Sequence, residues 1–127
     1  MTEIPDQYRG WWRIIDNSEW VNDKLDMLGP ALLSLTGWGD RLRMHCLLAY
    51  VNCKPTQTGV SFTWEGAWEY DQMSGSGRVR LGKDGRLKGV LRIKGSVSSE
   101  FVAVRADEPS EPIPHPPDYR DKWRRRW

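Results

Sequence analysis

The stretch Phe62-Thr63-Trp64-Glu65-Gly66-Ala67-Trp68-Glu69-Tyr70-Asp71 has two faces. Its large aromatics, Phe62, Trp64, Trp68 and Tyr70, fall on even numbers, and its carboxylates, Glu65, Glu69 and Asp71, fall on odd ones. Successive side chains of a β-strand point to opposite sides of the sheet, so a period of two marks a strand. The spacing predicts one strand over 62–71, with an aromatic wall on one side and an acidic ladder on the other.

Working outward, the neighbouring segments also read as strands. Gly10–Ile15 is a first strand, Ala31–Thr36 a second, and Arg41–Asn52 a long third whose apolar middle, Cys46–Val51, calls for a bend or bulge. Leu42, Met44, Cys46, Leu48 and Tyr50 share one face of that third strand. Met73–Gly77 reads as a glycine-rich connection. Arg78–Leu81 and Arg86–Lys94 form a hairpin around Gly82-Lys83-Asp84-Gly85, where Asp-Gly is a favoured tight-turn pair. Glu100–Arg105 is the last strand. The one helix expected is Glu19–Leu28, preceded by capping residues Asp16-Asn17-Ser18 and stopped by Gly29-Pro30. The pattern predicts an all-β fold: a single antiparallel up-and-down barrel of about 7–8 strands with one short N-terminal helix covering a mouth.

Composition sets the frame. A chain of 127 residues, 39% apolar and 28% charged, has the size and make-up of one soluble domain. Eight tryptophans are many for that length, and each needs a partner for its indole N–H when buried. Net charge is only +2, which by itself demands no nucleic-acid partner. No basic, apolar leader is evident and no apolar run is long enough to span a bilayer, so the expected compartment is the cytoplasm and no membrane is involved. Cys46 and Cys53 then read as free thiols. With His45 and His115 they match no zinc spacing, so no metal or other cofactor is expected. Neither a nucleophile elbow nor a phosphate-binding glycine loop occurs.

The barrel domain is expected over 1–106. Beyond it, Asp107–Pro117 holds five of the eight prolines and reads as an extended linker. The tip then runs Lys122-Trp123-Arg124-Arg125-Arg126-Trp127.

Gly10-Trp11-Trp12 resembles the Gly-x-Trp of the first strand of lipocalin-like (calycin) barrels. That resemblance implies an arginine of the last strand packed across the tryptophan, a place Arg105 suits. Gly10-x-Trp12-Arg13-Ile14, Trp20-x4-Leu25-Asp26-x2-Gly29-Pro30, Phe62-x-Trp64-Glu65-Gly66, Glu69-x-Asp71, Ser74-Gly75-x-Gly77 and Phe101-x-Ala103-x-Arg105 together resemble a family of short, mostly uncharacterised bacterial proteins, over roughly residues 9–105. This implies a compact barrel and no catalytic residues. The chain departs from that pattern at Lys94-Gly95-Ser96-Val97, where similar sequences carry a His and an acidic turn.

Three candidate readings follow. The leading expectation is non-enzymatic: Trp12, Trp64, Trp68 and Tyr70 line a barrel end that binds a small apolar or aromatic molecule, with Arg105 bracing Trp12. Gly66 interrupts that wall and leaves either room for a ligand or a kink. The alternative is an interaction module for a protein or nucleic acid. It uses Arg78, Arg80, Lys88 and Arg92 on the outward face of the hairpin, together with Trp123, Arg124, Arg125, Arg126 and Trp127. A hydrolase pair, Glu69 and Asp71, is a distant third. At a strand rise of ~3.3 Å per residue they stand about 7 Å apart, a spacing compatible with an inverting glycosidase. The acidic ladder reads more simply as a solvated face beside the arginine ladder of the next strand. His45 reads as a surface histidine without a partner.

Overall fold

The computed structural model describes residues 3–20, 22–96 and 98–117. Eight strands, β1 (Gly10–Asn17), β2 (Leu32–Leu35), β3 (Asp40–Met44), β4 (Leu47–Pro55), β5 (Val60–Trp68), β6 (Asp71–Leu81), β7 (Leu87–Ile93) and β8 (Ser98–Ala106), pair in sequence order. Each neighbour is antiparallel, and β8 returns to pair with β1 and close the barrel. A bulge between Ile14 and Asp16 interrupts that closing register. Closure leaves no free edge to pair with another chain.

Three sequence expectations need correction. There is no α-helix among the described residues: 19–28 holds only a three-residue 3-10 turn, Asn22–Lys24. The capping chemistry is real, since Asn17 Oδ1 accepts from the N–H groups of Glu19 and Trp20 at 2.8 and 3.2 Å. A ten-residue helix is marginal unless a whole face docks. Here the segment is instead held at separate points. Leu25 is buried and its carbonyl accepts from His45 N–H, while Asp26 takes two hydrogen bonds from Arg13 and one from Ala31 N–H.

Second, 41–52 is not one bent strand. A two-residue turn at His45-Cys46 separates β3 from β4, with Met44 opposite Leu47 and His45 at φ 57°. The turn changes the inward parity, so Leu42 and Met44 are followed inside by Leu47, Ala49 and Val51, and Tyr50 lies outside. Third, the 62–71 strand ends at Trp68. Glu69-Tyr70 is another two-residue turn, with Glu69 at φ 55°, and the glycine-rich 73–77 is the middle of β6.

Those glycines are explained by the barrel interior. Phe62 stands opposite Gly77, Trp64 opposite Gly75, and Phe101 opposite Gly89. A Cβ at Gly77 would lie 2.3 Å from the Phe62 ring, at Gly89 2.2 Å from the Phe101 ring, and at Gly75 2.9 Å from the Trp64 ring. At Gly77 and Gly89 the facing ring fills the space that the glycine leaves, while at Gly75 the Arg92 carbonyl of β7 comes closer to such a Cβ than the Trp64 ring does. The interior is a single cluster of buried side chains, with Trp12, Ile14, Leu33, Leu42, Leu47, Phe62, Trp64, Leu91 and Phe101 among them. Burying each of the large apolar ones contributes roughly 1.5–3 kcal/mol.

The start of β1, the end of β8 and the turns after β2, β4 and β6 share one end of the barrel. The segment before β1 covers it. Ile4 and Tyr8 are buried, Trp12 Nε1 donates to the Tyr8 carbonyl at 2.9 Å, and Leu81 N–H donates to Tyr8 Oη at 3.1 Å. Arg105 lies over the Trp12 ring with its Cζ 4.1 Å from the centroid, and it donates to the carbonyls of Arg9 and Gln7 at 2.6 and 2.7 Å. The opposite end carries the 18–31 connection and the turns at 45–46 and 69–70.

Candidate functional site

On the outer face, the register sets Ser76 opposite Arg92, Arg78 opposite Val90, and Arg80 opposite Lys88. The inward positions between them carry Val79, Leu87, Gly89 and Leu91, all buried, so the period of two sends all four cations outward. They border a chain of depressions. The first, about 650 Å³, is lined by Tyr50, Asn52, Thr63, Glu65, Ser74, Ser76, Arg92 and Lys94. The second, about 500 Å³, shares Asn52, Thr63, Ser76 and Arg92 with it and adds Lys54, Ser61 and Arg78. A third of about 640 Å³ continues over β6, β7 and β8, where Ser61, Arg78, Arg80, Lys88 and Glu100 line it.

The floor is made of short hydroxyl side chains because Ser61 and Thr63 on β5 face Arg78 and Ser76 on β6. The walls are long and basic. Among the described residues, Lys54, Arg78, Arg80, Lys88, Arg92 and Lys94 line the three depressions with only Glu65 and Glu100 as acids, six cations against two anions. Among the described residues, none of those six cations has a carboxylate within 4 Å; the ion pairs lie elsewhere, at Arg9 and Arg13.

This corrects the expected pairing of ladders. Because β6 begins at Asp71, Glu65 faces Ser74 and Arg78 faces Ser61, so the carboxylates of 65–71 do not stand opposite Arg78 and Arg80. The basic face therefore lacks the neutralising neighbour that the sequence suggested.

The proline-rich segment after β8 is not a free linker. Ile113 is 5% exposed and Pro116 is buried. His115 Nδ1 lies 2.9 Å from Tyr50 Oη and 3.0 Å from Arg41 Nη2, and its ring centroid is 5.7 Å from that of Tyr50. Arg41, the cross-strand partner of Tyr50, also stacks on the tyrosine with Cζ 4.6 Å from the ring centroid. An arginine can only donate, so Nδ1 is the accepting nitrogen in that contact and the proton of a neutral His115 sits on Nε2. Segment 107–117 thus forms a strap that ends beside Tyr50, on the rim of the first depression. Nothing in the sequence marked His115 as an anchor, because a single histidine among prolines has no periodicity to read.

The residues expected to line an apolar pocket are separated. Trp12 sits at the end closed by Arg105, 1% exposed. Trp64 is 3% exposed within the core, while Trp68 is half-buried at the opposite end. Tyr70 is in the turn and 82% exposed. Gly66 leaves no space, since a Cβ there would lie 1.9 Å from the Leu48 carbonyl oxygen of β4. Trp68 instead joins a cluster that the sequence did not show: the His45 ring stacks on it at 4.8 Å, and Trp20 lies 5.0 Å from Trp68 and 5.8 Å from His45. His45 is thus a half-buried ring between two indoles and not a bare surface histidine.

Glu69 and Asp71 flank Tyr70 across a turn, which removes the straight-strand spacing expected of them. Beside Glu69, Cys46 is buried with Sγ 3.7 Å from Glu69 Oε1, and burial and then that carboxylate push its thiol pKa up. The Cys53 thiol is pushed up to about 12, first by burial and then by Asp40, whose Oδ2 lies 3.1 Å away. Neither cysteine is a ready nucleophile. Both are free thiols. Among the described residues no three His, Cys, Asp or Glu side chains converge into a metal-holding set, and no helix is long and apolar enough to cross a membrane. Trp123, Arg124, Arg125, Arg126 and Trp127 lie outside the described residues. No protein-family model, curated protein or solved structure matches this chain.

Proposed function

We propose that this protein is a non-catalytic binding module that takes an extended, phosphate-bearing polyanion along the outer groove of β4–β7. One observation carries the reading: six cations without carboxylate partners among the described residues surround a floor of serine and threonine hydroxyls. Two adjacent strands of like charge repel each other, and an anionic chain lying between them relieves that repulsion while releasing counterions. Short hydroxyls on the floor let phosphate oxygens approach the sheet and supply neutral donors. The apolar-ligand reading draws less support, because Trp12 and Trp64 are spent on the core and Tyr70 stands in an exposed turn. We also propose that the barrel is of the lipocalin-like type, on the strength of Gly10-x-Trp12 capped by Arg105.

The test is equilibrium binding of a long-chain polyphosphate and of a single-stranded oligonucleotide at 50 and 200 mM salt, for the wild type and for Arg78→Ala/Arg92→Ala. Both ligands are expected to bind the wild type with steep salt dependence. The double variant should flatten the log–log salt slope by about two and weaken both. Absence of binding at low salt, or indifference to the two substitutions, would refute the proposal.

A further inference from the structure

The end of the barrel opposite Trp12 sets two sulfurs and a carboxylate side by side. Leu47 pairs with Trp68 where β4 meets β5, so Cys46 and Glu69 are the next residues beyond that pair, one in each adjoining turn. The 18–31 connection docks on the first of these turns, where His45 N–H donates to the Leu25 carbonyl at 2.7 Å. Met27, two residues further along, is thereby carried to the thiol. Its Sδ lies 3.9 Å from Cys46 Sγ, and Glu69 Oε1 lies 3.7 Å from the same sulfur. The stack of His45 on Trp68 ties together the two turns that carry Cys46 and Glu69.

A thiol has one proton and can satisfy only one of these two acceptors at a time. A cation set among the three atoms serves all of them. With metal–sulfur and metal–oxygen bonds of ~2.3 and ~2.1 Å, these separations subtend about 115° at a shared metal, both for the sulfur pair and for Cys46 Sγ with Glu69 Oε1. That angle falls between the tetrahedral and the trigonal one, so neither separation has to change for a metal to enter. Met27 is 57% exposed and Glu69 is exposed, which leaves a path from solvent to Cys46 beneath them. The donor chemistry selects the metal. Magnesium, calcium and manganese take oxygen ligands, whereas a thiolate with a thioether favours monovalent copper.

We propose that Cys46, Met27 and Glu69 form a binding site for a single Cu(I) ion. On binding, the thiol proton passes to solvent, each sulfur donates a lone pair to the metal, and Glu69 supplies the third ligand. No electron is transferred. The site uses none of the residues of the β4–β7 groove and stands or falls apart from it.

The test is anaerobic competition for Cu(I) between the full chain and a coloured Cu(I) chelator, for the wild type and three variants. The wild type should withdraw one equivalent of copper from the chelator. Cys46→Ser should abolish that withdrawal. Met27→Leu conserves volume at an exposed position and leaves the thiol in place, so circular dichroism should show an unchanged fold. Loss of even an outer partner of a metal costs about 10–100-fold in affinity, so removal of a direct thioether ligand should weaken Cu(I) binding at least about tenfold. Cys53→Ser, which removes the other thiol, should bind as the wild type does. Failure of the wild type to compete would overturn the proposal. So would a Met27→Leu variant that binds as tightly as the wild type, since copper would then be held by a reactive thiol alone. Equal loss in Cys53→Ser and Cys46→Ser would place the metal elsewhere, and Zn(II) displacing the bound Cu(I) would show that the donor set is not the soft one described.

Discussion

Gly89→Ala tests the barrel's packing logic at one atom. The three heavy atoms nearest to the added Cβ all belong to the Phe101 ring, at 2.2, 2.5 and 2.8 Å, and no backbone atom is among them. In an open strand, replacing glycine by alanine stabilises by up to about 1 kcal/mol, because the unfolded chain loses freedom. Here the ring must leave its rotamer or the strands must part, an overpacking cost of about 1–3 kcal/mol. The net expectation is destabilisation of about 1–2 kcal/mol, read as a midpoint shift in urea at unchanged slope. Phe101→Leu alone leaves a partial cavity and costs about 1–2 kcal/mol. Its side chain does not reach over Gly89, so in that background Gly89→Ala should be neutral or slightly stabilising. The cycle should therefore show a coupling of about 1–2 kcal/mol in favour of the double variant. Additive effects, or a Gly89→Ala single variant at least as stable as the wild type, would refute the claim that the ring occupies the glycine's space.

Two further predictions concern the closed end and the buried thiol. Arg105→Ala removes two hydrogen bonds to carbonyls and the stack on Trp12, so it should cost about 2–3 kcal/mol and raise amide exchange in residues 4–9; Arg105→Lys should recover little, because one ammonium does not span two carbonyls and a ring. Cys53 should react with a thiol reagent at pH 8 far more slowly than a small-molecule thiol. Because its folded pKa is raised to about 12 from 9.0, the stability it contributes is present below pH 9 and is lost as pH rises from 9 towards 12; Cys53→Ala should flatten that alkaline loss, and an unchanged alkaline profile would show that Cys53 does not titrate as stated.

The sequence made the barrel legible wherever alternation was undisturbed: Gly10–Ile15, the Asp84-Gly85 hairpin and the last strand all stand where a period of two puts them. It failed where a turn carried no turn residues. His45-Cys46 and Glu69-Tyr70 reverse the chain with a non-glycine residue at positive φ, a conformation that residue type alone does not announce. Composition misled in the opposite sense at 73–77, where glycine and serine suggested a loop. Gly77 is instead demanded by the Phe62 ring on β5, and Gly75 by the Arg92 carbonyl on β7 together with the Trp64 ring, contacts visible only once the register is known. The basic face was readable by parity alone. Its lack of neutralising carboxylates was not, because that depends on β6 starting seven residues before Arg78.

The pairing of β1 with β8 also dictates an order of events. Ile14 and Ala103 are partners across the closing seam, so β1 waits for about 90 residues of chain before its second edge is satisfied. At roughly 5–20 residues per second of synthesis that is about 5–18 s, during which β1 has only β2 beside it. Arg105 forms its bonds to Gln7 and Arg9 only after that seam has closed. The arginine over Trp12 is thus a late contact, and its removal should speed unfolding far more than it slows folding.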